Sequence, residues 1–339
     1  MPLHGGRQNP WLESTRRQVR SLVLDLKKPA GQEVFARLAA TAQVILEGFR
    51  PGVAARLGVD YEAVQRAGLQ VVYVSISGFG QTGPYSQRPG HDINYIALGG
   101  VLSVSGTIGG PPALPGVLVA DFAGGGLLAV VAVLAGVHEL RTTGQGQYVD
   151  LSMHDSVVHL MARFLIPYFE NGALIRRGGD FLTGAAPWYG VYQTRDDGFV
   201  AVGAVEDHYY SRLVAHLGHP EWSNLQWDRS RWSELRTEMA AVFKTRDRDE
   251  WTALAAKDAC VAPVFDTSEI ALDQHLRERR VIIADGGTGL MMGPVLPLRG
   301  VVAPAGSPRQ AGQDTDAVLG ELGYATSQVG ELRQSGVAY

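Results

Sequence analysis

Apolar positions in the first third of the chain come in short runs separated by stretches of helical spacing. SLVLDL (Ser21–Leu26) predicts a strand, and Pro29, suited to a first helical turn, opens QEVFARLAATA, where Val34, Leu38 and Ala39 share one helical face. VILEGF (Val44–Phe49) predicts a second strand. The turn at Arg50–Gly52 leads into a helical stretch reaching Ala67, and the β-branched QVVYVSIS (Gln70–Ser77) predicts a third strand. Alternation at this spacing predicts parallel βαβ units. A long helix over Asp121–Leu140 and the strand GQYVDLS (Gly146–Ser152), with another helix after it, continue the α/β pattern.

The pattern then changes. WYGVYQT (Trp188–Thr194) and FVAVGAV (Phe199–Val205) flank Asp197-Gly198, a hairpin turn signal. Helical stretches follow near Tyr209–Leu217, Trp232–Phe243 and Glu250–Ala256. The expected fold is a Rossmann-like α/β domain over residues 1–185, a smaller α+β domain over 186–285, and a tail, 286–339, returning to the first.

At 339 residues and 45% hydrophobic content the chain can bury a sizeable core. Thirty basic against 34 acidic residues, a net charge of −4, argue against a protein that coats nucleic acid or anionic membrane. The single cysteine, Cys260, forms no internal disulfide, fits a reducing compartment and is expected to be a small buried hydrophobe. The N-terminal stretch lacks the apolar core of a secretory signal, so a cytoplasmic protein is expected. The longest apolar run, Ala123–Val137, is 15 residues, short for a membrane span, and is expected to be a buried helix.

Several motifs invite chemistry. GFGQTG (Gly78–Gly83) matches G-x-G-x-x-G, but Pro84 and a polar loop follow where a dinucleotide site needs a helix; its glycines are expected to allow tight turns near a ligand. MHDS (Met153–Ser156) sets His, Asp and Ser in a row, yet neighbours on a helix point about 100° apart and cannot relay a proton in series. His216 and His219 lack acidic or cysteine partners at metal spacing. Lys27, Lys28, Arg50 and Arg56 fall where strands end, the side on which α/β sheets bind ligands. In VLVADFAGGG (Val117–Gly126), Asp121 suits a helix start, but three glycines so close behind imply a close approach to the backbone. Asp92 is expected to start the helix INYIALGG, and from the residues alone the adjacent His91 is open to two readings, a structural histidine or a proton-transfer group.

SLVLDLKKPAG, EGFRPGVAARLGVDYEA, SISGFGQTGPYS, GHDINY and VADFAGGG, in that order, resemble the family III CoA-transferases, the CaiB/BaiF group. GHDINY, GAVEDHYY (Gly203–Tyr210) and DRSRWSELRTEMAAVFKTRDRDEW resemble its α-methylacyl-CoA racemase branch. The resemblance implies an acyl-CoA thioester substrate and an interlocked homodimer. It implies CoA contacts from Leu24, Asp25, Leu26 and Lys27, from Gly48, Phe49, Arg50 and Arg56, and from Gly90, His91, Asp92, Ile93, Asn94 and Tyr95. It makes Asp121 the acyl-carrying nucleophile of a transferase or an acid/base of a racemase. The family's usual first βα unit is expected to be missing.

Racemisation beside a thioester carbonyl needs one base on each face of a planar enolate. His91, supported by Glu206, is expected on one face and Asp121 on the other, with backbone N–H groups from Asp121 to Gly124 stabilising the enolate oxygen. No cofactor and no metal is expected; CoA enters as part of the substrate. The alternatives are CoA transfer between carboxylic acids through a covalent Asp121 anhydride, and an acyl-CoA-binding homologue without turnover.

Overall fold

The structure is a computed structural model in which residues 19–284, 289–294 and 309–339 are described. In chain order the elements that matter are α1 (Pro29–Ala39), β1 (Val44–Glu47), α2 (Tyr61–Arg66), β2 (Val72–Ser77), α3 (Asp92–Leu98), a π-helical segment (Val119–Leu127) running into α4 (Leu128–Thr143), β3 (Gln147–Ser152) and α5 (Met153–Leu160). The second half contributes β4 (Tyr189–Gln193), β5 (Phe199–Gly203), α6 (Asp207–His216), α7 (Trp232–Phe243), α8 (Arg248–Ala255), β6 (Val261–Pro263), α9 (Thr315–Glu321) and α10 (Thr326–Gln334). Contacts divide the chain into two compact units: residues 1–77, 129–150 and 267–339, and residues 78–128 and 151–266.

The first unit is built on a three-stranded sheet in the order β1-β2-β3, with β1 and β2 parallel and Val44 opposite Val72. Asp60 caps α2 by accepting from the Ala63 N–H at 3.1 Å, and Val64, Val71 and Tyr73 form the core beneath. Tyr61, Tyr73 and Tyr148 pack ring against ring across the sheet. The C-terminal residues close this unit: Leu319, Val329 and Ala338 bury Val34 of α1. SLVLDL forms no strand there; Leu24 makes one isolated bridge to Ala338, and the Asp25 N–H donates to Val337 O. One bridge partner is all the segment has, so the ladder ends where it starts.

The second unit has a helical part, with Phe79, Tyr95, Ile96, Ala120 and Val157 as its core. It also has an antiparallel sheet, β4-β5-β6, joined by the expected hairpin with Asp197 at φ 59° in the turn. Trp188, Tyr192, Tyr210, Leu235, Phe243 and Trp251 fill the core behind that sheet. The indole N–H groups of Trp188 and Trp232 both donate to Gln226 O, at 2.7 and 2.8 Å, so the buried donors are satisfied. Cys260 is exposed rather than buried: it sits at φ 51° in the tight turn into β6.

The long apolar helix also departs from expectation. It continues over Val119–Thr143, 25 residues, which is long and apolar enough to cross a membrane. In α4 only Ala129 and Gly136 are buried, whereas Val131 and Leu134 are 59% and 62% exposed. Within one chain it is therefore not a core helix. What fixes α4 on its sheet is Gly136, where a Cβ would stand 2.6 Å from Val72 Cγ1 of β2. Gly136→Leu is expected to lower stability by about 1–3 kcal/mol, the usual cost of overpacking. Urea unfolding of the variant beside the wild type measures it; an unchanged midpoint contradicts this packing.

Candidate active site

His91 and Asp121 reach one cavity from two different elements. Their backbones are fixed before their side chains are. His91 is the N-cap residue of α3, and its N–H donates to Asn94 Oδ1 at 3.0 Å. Asp92, expected to start this helix, is its first residue, but its carboxylate turns elsewhere. Asp92 Oδ1 accepts from the N–H groups of Ala120 at 2.6 Å and of Asp121 at 3.0 Å, at the head of the π-helical segment. That contact brings the chain around residue 121 back to the residue beside His91.

The π-helical winding explains the glycines. Gly124 and Gly125 face α5, where a Cβ on either would come within 3.1 Å of Met153 atoms. The close approach inferred from AGGG is thus made by a neighbouring helix, and it holds Asp121 one turn away on the open side. The expected enolate donors are not available there. The N–H groups of Ala120 and Asp121 are taken by Asp92, that of Phe122 donates to Leu118 O at 3.0 Å, and π-helical pairing takes those that follow.

The cavity has a volume of about 350 Å³. His91, Asp92 and Asp121 are its polar groups, and Ile93, Ile96 and the loop Leu114, Pro115, Val117 and Leu118 form an apolar wall. The apolar approach to Asp121 was legible in Val117 and Ala120, whereas the part played by Leu114, Pro115 and Leu118 was not read from the sequence. Burial first, and then the Asp92 carboxylate, hold the Asp121 carboxyl above the ordinary carboxylate range, while His91 draws it down. A carboxylate so placed is a stronger base than one in water. Glu206 does not line this cavity. It is the N-cap residue of α6, and among the described residues no hydrogen bond joins it to His91.

The other resemblance-derived residues fall in two places. Gly90, His91, Asp92, Ile93, Asn94 and Tyr95 form the α3 start, where Tyr95 is buried and its hydroxyl donates to Gly90 O at 2.8 Å. Gly78 of GFGQTG packs against the same tyrosine, whose ring leaves no room for a Cβ there. Leu24, Asp25, Leu26 and Lys27 lead into α1 in the first unit, with the Asp25 carboxylate turned back onto the Lys27 N–H. Gly48, Phe49 and Arg50 follow β1 at its C-terminal end, and Arg56 lies a turn further on. Lys27, Arg50 and Arg56 are exposed, and among the described residues none has a carboxylate within ion-pair distance. Lys28 is committed to Ser335 O and Gly336 O.

The histidines set aside earlier have structural partners. His154 pairs with Asp155, and Ser156 donates to Ser152 O, so MHDS is no relay. His216 pairs with Asp258 and His219 with Glu221.

Residues 1–314 match the profile of CoA-transferase family III. The chain belongs to that family. It is 36% identical over 318 residues to the alpha-methylacyl-CoA racemase of Homo sapiens, spanning 92% of this chain and 83% of that protein. It is 29% identical over 348 residues to the succinyl-CoA–L-malate CoA-transferase beta subunit of Chloroflexus aurantiacus, spanning 96% and 84%. A CaiB/BaiF family crystal structure from Brucella suis superposes with a TM-score of 0.79 at 25% identity, covering 95% of this chain and 86% of that one. Relatives in this family are enzymes, racemases or CoA-transferases.

In a family III protein, unpaired cations beyond a β-strand are candidates for the CoA phosphates. Arg50→Ala and Arg56→Ala are each expected to weaken binding of a CoA thioester by about ten- to a hundredfold. Isothermal calorimetry measures it, and unchanged affinity in both folded variants removes these arginines from the site.

Proposed function

We propose that this family III protein racemises 2-methyl-branched acyl-CoA thioesters by proton transfer between two bases. The observation that carries the reading is the pairing of His91 and Asp121 in one apolar-walled cavity, with Asp121 made more basic by its surroundings. One base takes the α-proton, and the electron pair of the broken C–H bond passes to the thioester oxygen as an enolate. The conjugate acid of the other base then delivers a proton to the opposite face of the same carbon. No net charge or electron is gained. The two groups end with their protonation exchanged and return to the starting state through solvent or the reverse reaction. The apolar wall gives the branched acyl chain a surface to lie on, and the relatives named as racemases support the same chemistry.

In D₂O, a single enantiomer of a 2-methylacyl-CoA is expected to racemise and take up deuterium at the α-carbon. Asp121→Asn and His91→Ala should each lose racemisation by about 10²–10⁴-fold. Chiral chromatography with mass spectrometry reads both quantities. The transferase-like relatives favour a second reading, in which the Asp121 carboxylate attacks the thioester carbonyl and releases CoA. Hydroxylamine trapping of an acyl group on Asp121, with no deuterium uptake from several 2-methylacyl-CoAs, would decide for it.

An interlocked homodimer belongs to the same proposal. Its support is the exposed apolar face of α4, Val130, Val131 and Leu134, which a second copy would cover. Sedimentation is expected to show a dimer that does not dissociate on dilution, and a concentration-dependent monomer contradicts interlocking.

A further inference from the structure

We propose that Asp92 is a positioning residue for Asp121, holding the backbone that carries it against the backbone that carries His91. This deepens the two-base reading and rests on it. Asp92 is 6% exposed and occupies the first turn of α3, where an acid already suits the helix it begins. Its Oδ1 instead accepts two N–H groups from residues 28 and 29 positions further along the chain. These are charge-assisted bonds to donors at the head of a helical segment, where no earlier turn supplies an acceptor. The clamp thereby fixes the origin of the Asp121 side chain relative to α3. His91, one residue before Asp92, is fixed on that same helix by Asn94. The Asp92 carboxylate thus ties the Asp121 backbone to the helix that carries His91.

The same carboxylate has an electrostatic effect. A buried anion beside Asp121 favours the protonated form of that group, as its raised pKa reflects, after the larger effect of burial and against the pull of His91. Among the described residues, Asp92 and His91 are the charged groups that act on Asp121. From α5 the π-helical segment meets the uncharged Met153, Ser156 and Val157, while His154 and Asp155 pair with each other and His159 is exposed. The cavity loop Leu114–Leu118 has no ionisable side chain.

Two substitutions separate clamp from charge. Asp92→Asn keeps an oxygen acceptor and removes the charge; Asp92→Ala removes both. Titration of the Asp121 carboxyl by ¹³C NMR, assigned with Asp121→Asn, needs no turnover. In Asp92→Asn the Asp121 midpoint is expected to fall below that of the wild type. The acid limb of the kcat/KM profile for a 2-methylacyl-CoA should move the same way, with KM within about twofold. In Asp92→Ala, kcat is expected to fall about 10²-fold, the scale of a misplaced reacting group. An unmoved Asp121 midpoint in Asp92→Asn overturns the proposal. So does an Asp92→Ala enzyme whose kcat stays within about threefold of wild type. If the wild type exchanges no α-proton, the racemase reading fails, and the NMR comparison still decides the role of Asp92. Should Asp92→Ala not fold, amide hydrogen exchange in Asp92→Asn carries the test: faster exchange at Ala120 and Asp121 is expected, and unchanged exchange overturns the clamp.

Discussion

A helix leaves its first N–H groups without partners, and this protein gives two of them to a single buried oxygen. Asp92 Oδ1 holds the N–H groups of Ala120 and Asp121. Much of the cavity follows from that attachment. The π-helical winding lets Gly124 and Gly125 lie directly on α5, which sets how deep the segment sits, and the clamp sets where it begins. Asp121 is left partly buried beside a second carboxylate and a histidine; burial first and then Asp92 raise its pKa, and His91 lowers it.

The same carboxylate can act as a base or as a nucleophile, and family III includes relatives that are racemases and relatives that are CoA-transferases. What separates the two chemistries is the need for a second base. A transferase requires a carboxylate that reaches the carbonyl carbon; a racemase requires groups on both faces of the α-carbon. His91 and Asp121 line one cavity, and the proposed two-base reading rests on that observation. The cations beyond β1 are a separate feature of the first unit, with charge free to engage phosphate. Apolar surface left open on α4 is the feature that a single chain does not explain.

Legibility in the sequence followed the range of the interactions. The hairpin was readable because Asp197-Gly198 is a local signal, and its φ of 59° is what that signal requires. β2 was readable from its run of β-branched residues. SLVLDL was not, because its apolar residues serve contacts with the far end of the chain instead of a ladder. The apolar helix was read as buried because its composition is that of a core helix, and composition does not report exposure. At the site, Asp92 next to a helix start satisfied a local rule, and the local rule concealed a bond to residues 28 and 29 positions away. The glycines after Asp121 did announce a close approach, but not that α5 makes it. Glu206 came from resemblance alone, and its place at the start of α6 gives no contact with His91 within the described chain.

The central claim is that two bases serve opposite faces of one carbon, and the time course of optical excess in D₂O tests it most directly. Starting from one enantiomer with a proton at the α-carbon, each product molecule receives solvent deuterium from the second base and then returns slowly because of the primary isotope effect. The account predicts that the optical excess passes through zero, overshoots to the opposite sign and decays to the racemate. A monotonic approach to zero, with product that keeps its original proton, would mean that one group carries the proton between faces and would contradict the account.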